Sequence, residues 1–228
     1  MNDAFFKIRS YKQPLRALMY EKLIWAHLFG IHAKYDRAAG GAVASEFSYH
    51  KNGSIRTILG VIGFLVIVEG IAIDVFVATN SARLAIALGI VHAFMLLYAV
   101  ALIRASSQRP VLVTPDGVLV RISLLFCAWL PFASIEKVIL IEREVERKNT
   151  PNTLWCAVGD QPNVCIQMSN AVDAVLPLGI IRRPITLYFY IDTPSELIEL
   201  IGKRQSSPLN TQDFAQSRQH CVFTTQLV

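Results

Sequence analysis

TILGVIGFLVIVEGIAIDVFVA (Thr57–Ala78) and, after a five-residue gap, LAIALGIVHAFMLLYAVALI (Leu84–Ile103) decide how this chain is organised. Each run is close to the ~20 apolar residues an α-helix needs to cross a hydrocarbon layer about 30 Å thick. The connection Thr79-Asn80-Ser81-Ala82-Arg83 is only a turn, so the two helices are predicted to run antiparallel as a transmembrane hairpin. Composition agrees, because 53% of the 228 residues are hydrophobic and only 17% are charged, an oily balance for a soluble domain. The formal charge of +5 suits cytoplasmic segments facing anionic lipid. Membrane lipids are therefore expected partners, and nucleic acid is not.

Lysine and arginine set the orientation. Nine (Lys7, Arg9, Lys12, Arg16, Lys22, Lys34, Arg37, Lys51 and Arg56) precede the first run, Arg83 alone sits in the turn, and twelve follow the second run. The positive-inside rule then predicts a multi-pass membrane protein, with both termini cytoplasmic and the turn outside. No cleavable leader is expected, since Leu23–Ile31 is short, is interrupted by His27 and lacks a small-residue cleavage pattern. Cys127, Cys156, Cys165 and Cys221 have no CxxC spacing, which reads as free thiols in a reducing compartment. No metal site and no cofactor is expected.

Three ionisable residues interrupt the apolar runs. Glu69 lies eight residues before Val77 and His92 eight after Leu84, so an antiparallel hairpin sets them at one depth, and they are predicted to form an interhelical polar pair. Asp74, nearer the turn, is assigned to Arg83 as an outer-interface pair reached by snorkelling. One reading of Glu69 and His92 is a proton relay or an intramembrane metal or quinone site. The other is an interhelical lock, or a pair that binds another membrane protein. A proton path needs a chain of such groups, and two spans supply few. Ala85, Gly89 and Ala93 on one run, and Gly63 and Gly70 on the other, offer smooth ridges for close helix contact.

Outside the hairpin the chain divides into three parts. Residues 1–56 form a basic, cytoplasmic segment, in which Leu15, Leu18, Met19, Leu23, Ala26 and Phe29 recur at the spacing of an interfacial amphipathic helix. His27, His32 and His50 lack ligand spacing, and AAGGAVASEFS (38–48) reads as a linker. From 109 to 204 the pattern changes to short strands, expected at Val111–Val113, Val118–Leu125, Ala128–Phe132, Ile135–Ile141, Leu154–Val158, Val164–Met168 and Ile185–Ile191. Thr193, Pro194 and Glu196 then open a helix with a T-x-x-E capping box, and Leu197, Ile198, Leu200 and Ile201 give it an apolar stripe. Residues 205–228 are polar and read as a disordered tail.

The succession VTPDGVLVRISLLF, LPFASIEKVILI, NVCIQMSN and PLGIIRRPITLYFYIDTPSELIELI resembles the membrane-anchored bacterial pleckstrin-homology-like domains, over about residues 55 to 204. The resemblance implies a membrane α+β protein in which a transmembrane helix pair precedes a split β-barrel capped by a C-terminal helix. It implies little about activity, because the same fold hosts lipid, peptide and protein binding. Phosphoinositide-binding members of the wider superfamily use a basic loop between the first two strands. Here that loop is Pro115-Asp116-Gly117, with only Arg121 beyond it.

Two surfaces remain as candidate binding sites. Arg182 and Arg183 form the better headgroup site, since the run Glu142 to Lys148 alternates in sign and largely cancels its own field. In LLFCAWLPF (Leu124–Phe132), Phe126 and Trp129 either fill a buried strand pair or protrude from a hairpin tip to dip into the inner leaflet or a partner. With no nucleophile elbow, P-loop, dinucleotide fingerprint or zinc pattern, no catalytic residue is assigned. The sequence points to a docking or scaffold protein that holds a protein or a lipid headgroup at the cytoplasmic face, with a membrane-protein partner or self-association. The alternative is an intramembrane redox or proton-coupled enzyme subunit using Glu69 and His92.

Overall fold

The computed structural model describes residues 24–26, 28–29, 45–147 and 150–206. Most of the amphipathic segment expected within residues 1–56, and the tail from 207 onward, lie outside the described residues. The order of elements is β1 (Ser45–Phe47), α1 (Ile55–Ala78), α2 (Ala82–Gln108), β2 (Val111–Val113), β3 (Gly117–Ile122), β4 (Phe126–Pro131), β5 (Ile135–Leu140), β6 (Thr153–Trp155), β7 (Val164–Met168), β8 (Ala174–Val175), β9 (Ile181–Arg182), β10 (Thr186–Phe189) and α3 (Pro194–Ser206).

Helices α1 and α2 are long and apolar enough to cross a membrane. Neither contains proline, and the turn between them is closed by its own polar side chains. Thr79 Oγ1 donates to the Phe76 carbonyl at 2.6 Å, and Ser81 Oγ accepts from the Leu84 N–H at 3.4 Å as the N-cap of α2, so the exposed ends of both helices are partly satisfied. Most of both surfaces is left bare, with Phe64, Ile71, Phe76, Ile86 and Ile90 all exposed.

Beyond the helices the chain forms two sheets. One has the order β1-β2-β3-β4-β8-β9, with every pair antiparallel, and the other has the order β5-β7-β10-β6, in which only β10 and β6 run parallel. The expected split barrel is therefore not closed. Pro131 ends β4, a 3-10 turn at Phe132–Ser134 redirects the chain into the second sheet, and among the described residues no ladder joins the edges of the two. Val118, Leu130, Ile166, Leu187, Phe189 and Ile191 fill the space between them. Leu197 and Ile201, one turn apart on α3, are buried against this core, and Gln205 Nε2 donates to the Ile135 carbonyl at 2.8 Å.

The stretch read as a linker contains a strand. Ser45, Glu46 and Phe47 pair antiparallel with Val113, Leu112 and Val111, so the strand before the helices and the strand after them are neighbours. Strands β8 and β9 are also additions to the expected set. Each has two residues, too few for alternation to register.

The junction between the helices and the sheets is closely tied. Ser54, before the first turn of α1, gives its N–H and its hydroxyl to Asp160 at 2.8 and 2.6 Å. Asp192 accepts from the N–H groups of Lys51 and Asn52 at 3.1 and 2.9 Å. Partial burial would raise its pKa, but hydrogen bonds from Ser48, Asn52 and Lys51 outweigh this and hold the carboxyl below its usual value. Arg56 Nη2 donates to Ser107 Oγ, tying the two helix bases together. Ser123 Oγ donates to the Leu102 carbonyl at 2.8 Å, and the Ser123 N–H donates to the Tyr49 hydroxyl.

Burial pushes the Tyr49 hydroxyl up to about 12, against smaller opposing effects of the Ser123 hydrogen bond and nearby arginines. A raised pKa favours the neutral form in the folded state, so this contribution is complete below pH ~10, where the unfolded tyrosine is still neutral, and is lost as pH rises through about 12. Tyr49→Phe is expected to lower stability at neutral pH by about 1 kcal/mol, because the buried Ser123 N–H loses its acceptor. It is also expected to blunt the alkaline loss. Tryptophan fluorescence during thermal unfolding in detergent, at pH 7 and pH 11, measures both effects. An unchanged alkaline slope contradicts the assignment.

Candidate functional site

Within the helix pair, His92 stands against Asp74 rather than Glu69, with Nδ1 to Oδ1 at 3.6 Å. Both atoms are sealed from surrounding space and lie just beyond hydrogen-bond range of each other, with no other partner among the described residues. Two glycines make room for them. A Cβ on Gly70 would meet the His92 ring at 3.0 Å, and one on Gly89 would meet Asp74 Oδ2 at 3.4 Å. Gly63, expected on the same ridge, meets nothing within 4 Å.

Glu69 is not the residue that meets His92. Gly70 is buried against α2 and Glu69 is exposed, because one residue along a helix turns the side chain by about 100°. The Asp74–Arg83 pairing is likewise replaced, since Asp74 faces inward to His92 while Arg83 is exposed beside the turn. The described part of the amino-terminal segment packs along α2. Trp25 stacks on Phe29 and meets Phe94 edge-on, with centroids 6.1 and 5.8 Å apart, and Arg104 Nη1 donates to the Leu28 carbonyl at 2.8 Å.

The candidate residues in the sheets separate in the same way. Phe126 does not protrude, being 3% exposed within the core, because the apolar run turns into β4 with this residue pointing inward. Trp129, three residues on, is half-buried on the opposite side. It lines a cleft of about 460 Å³ with Pro131, Ser134, Val172, Asp173 and Arg183. Two residues drawn from separate candidate surfaces, Trp129 and Arg183, thus share one site. Arg183 Nε donates to Asp173 Oδ1 at 2.8 Å, so its charge is partly offset, whereas Arg182 is exposed on the edge strand β9.

This cleft can seat a side chain or headgroup between an indole face and a guanidinium held in place by a carboxylate. Sequence reasoning missed Asp173 and the junction carboxylates Asp160 and Asp192, which become neighbours of their partners only through folding. A second cleft of about 680 Å³ lies between Glu144–Arg147 and Trp155 and Asp160. Trp155 stacks on Tyr188 at 4.6 Å there, with its indole N–H sealed and without a hydrogen-bond partner among the described residues. Among the described residues no group of three His, Cys, Asp or Glu side chains could hold a metal ion. Compared with protein-family models, with curated proteins and with solved structures, the chain matches none.

Proposed function

We propose that this protein crosses the bacterial inner membrane twice, with both termini cytoplasmic, and that its sheet region acts as a pleckstrin-like docking or scaffold module at the inner leaflet. The observation that carries the reading is the contrast between two bare apolar helices and a tightly bonded junction beneath them. Exposed side chains such as Phe64, Ile71 and Ile90 are costly in water and favourable in lipid. The excess of lysine and arginine on both sides of the hairpin supports the orientation. With no slack at the junction, a module so held presents its surfaces at a fixed height above the membrane.

The docking surface in this reading is the Trp129–Arg183 cleft, and its chemistry favours a protein over an anionic lipid headgroup. Asp173 already occupies part of the Arg183 guanidinium and would repel a phosphate. The alternative, an intramembrane redox or proton-coupled enzyme subunit using Glu69 and His92, has lost the juxtaposition on which it rested.

Affinity purification of the full chain in mild detergent, with co-purifying proteins and lipids identified, tests the proposal. A specific protein partner is expected, and its recovery should fall about tenfold with Trp129→Ala or Arg183→Glu, each of which removes a central anchor of the cleft. Recovery of bulk lipid alone, unchanged by either substitution, overturns it.

A further inference from the structure

Glu69 is the carboxylate in the apolar runs that no other described residue partners. It sits on α1 about 2 Å past the midpoint of Thr57–Ala78, at 1.5 Å per residue. Its carboxyl is exposed, on a strip with Ile62, Leu65, Ala72 and Phe76, which are exposed too. Among the described residues no hydrogen bond or ion pair reaches it. A carboxyl group, ionised or neutral, keeps hydrogen-bonding capacity that hydrocarbon cannot satisfy, so such a residue in a transmembrane helix marks a contact with protein or a wet cavity.

The chain does not supply that contact within the described residues. His92, the basic group at the same depth, is turned toward Asp74. Arg56 and Arg83 lie toward opposite ends of the hairpin, about 20 and 14 Å respectively along the helix direction from Glu69. A second copy supplies no base. A two-fold pairing through the strip sets Glu69 against Glu69, which repel when both are ionised and hydrogen-bond only after one takes up a proton, and the copy's His92 is engaged in its own hairpin.

We propose that the Glu69 strip of α1 docks a transmembrane helix of a different protein, one carrying a lysine, arginine or histidine at mid-membrane depth. The inference rests on the membrane-spanning reading of α1 and α2 and is independent of the cytoplasmic cleft. A basic residue on the incoming helix is in the same position as Glu69, unsatisfied in lipid until the two meet. Charge complementarity then sets the register of the contact, and the flanking Leu65, Ala72 and Phe76 set its face.

The test is photo-cross-linking in intact membranes from a photoreactive residue at Ala72, with Phe64, about 140° around α1 from Glu69, as control. The expected result is an adduct with another protein from position 72 and none from 64. Mass spectrometry should place the cross-link on a transmembrane segment that contains a basic residue. Glu69→Lys should reduce the adduct at least tenfold, and converting the partner's basic residue to glutamate in the Glu69→Lys background should restore it. An adduct of twice the 25.4 kDa chain mass assigns the strip to a second copy and overturns the proposal, as does an adduct unaffected by Glu69→Lys, or none from position 72. Alkaline carbonate extraction in parallel separates the two levels, because release of the chain from the membrane pellet defeats the membrane reading itself.

Discussion

Gly159→Val is expected to lower stability by about 3 kcal/mol and to loosen the joint between the helices and the sheets. Gly159 has φ +80°, a left-handed conformation that costs an ordinary residue roughly 1–2 kcal/mol and a β-branched one more. The position is also filled. A Cβ there would overlap Ile58 Cδ1 and lie 3.0 Å from Ser54 Oγ and 3.2 Å from Ile58 Cγ1, so Ile58 must leave its rotamer, and the branched valine then presses on Ser54, which carries the Asp160 hydrogen bonds. Strain and repacking add here, because they act on the same contact. Thermal unfolding in detergent gives the stability change, and new proteolytic cleavage within residues 48–56 reports the loosened joint. Gly202→Ala on α3, where a Cβ meets nothing within 4 Å, is the control. It should be neutral or gain up to about 1 kcal/mol from helix propensity.

The second expected result concerns the Asp74–His92 contact. Replacing either side chain alone by leucine should destabilise the helix pair by about 2 kcal/mol, since it strands a sealed polar atom in an apolar surrounding. Replacing both should recover most of the loss, because no polar atom is left without a partner and leucine resembles the neighbouring side chains in volume. Unfolding of the helix pair by titration with a denaturing detergent gives the three values for a double-mutant cycle. Additive losses would mean that the two side chains do not act on each other. Gly70→Leu should resemble the single replacements, as it drives into the His92 ring.

The two long helices were legible because their signal is carried by continuous apolar runs and a five-residue turn. Strands β2 and β7 were legible to the residue, and β3, β4, β5, β6 and β10 to within a few, since strand-forming residues there lie between clear turn residues. Depth in the hairpin could be counted along the sequence, but direction could not, and one residue separates the buried Gly70 from the exposed Glu69. Phe126 failed for a related reason. In a run as apolar as LLFCAWLPF, alternation does not say which side chains point inward. Strand β1 was hidden because it is three residues with Glu46 at its centre, and its partner lies beyond both helices. The junction was illegible because its carboxylates come from residues 106 to 141 positions away from the groups they bind, and no local pattern carries such a contact.

The placement of β1 beside β2 has a consequence for the order of events during synthesis. Strand β1 leaves the ribosome before either helix, while β2, the strand it pairs with, follows both. On the membrane-spanning reading, the six-stranded sheet gains its outer strand only when the chain has gone out through the bilayer and come back. The closure entropy of so long an intervening segment rises only slowly with its length, so the delay is one of timing rather than of final stability. A hairpin that fails to return leaves β2 on the far side and β1 unpaired as an open sheet edge. Completion of the sheet thus depends on correct insertion, and a nascent chain that has inserted wrongly is distinguished by an edge that never closes.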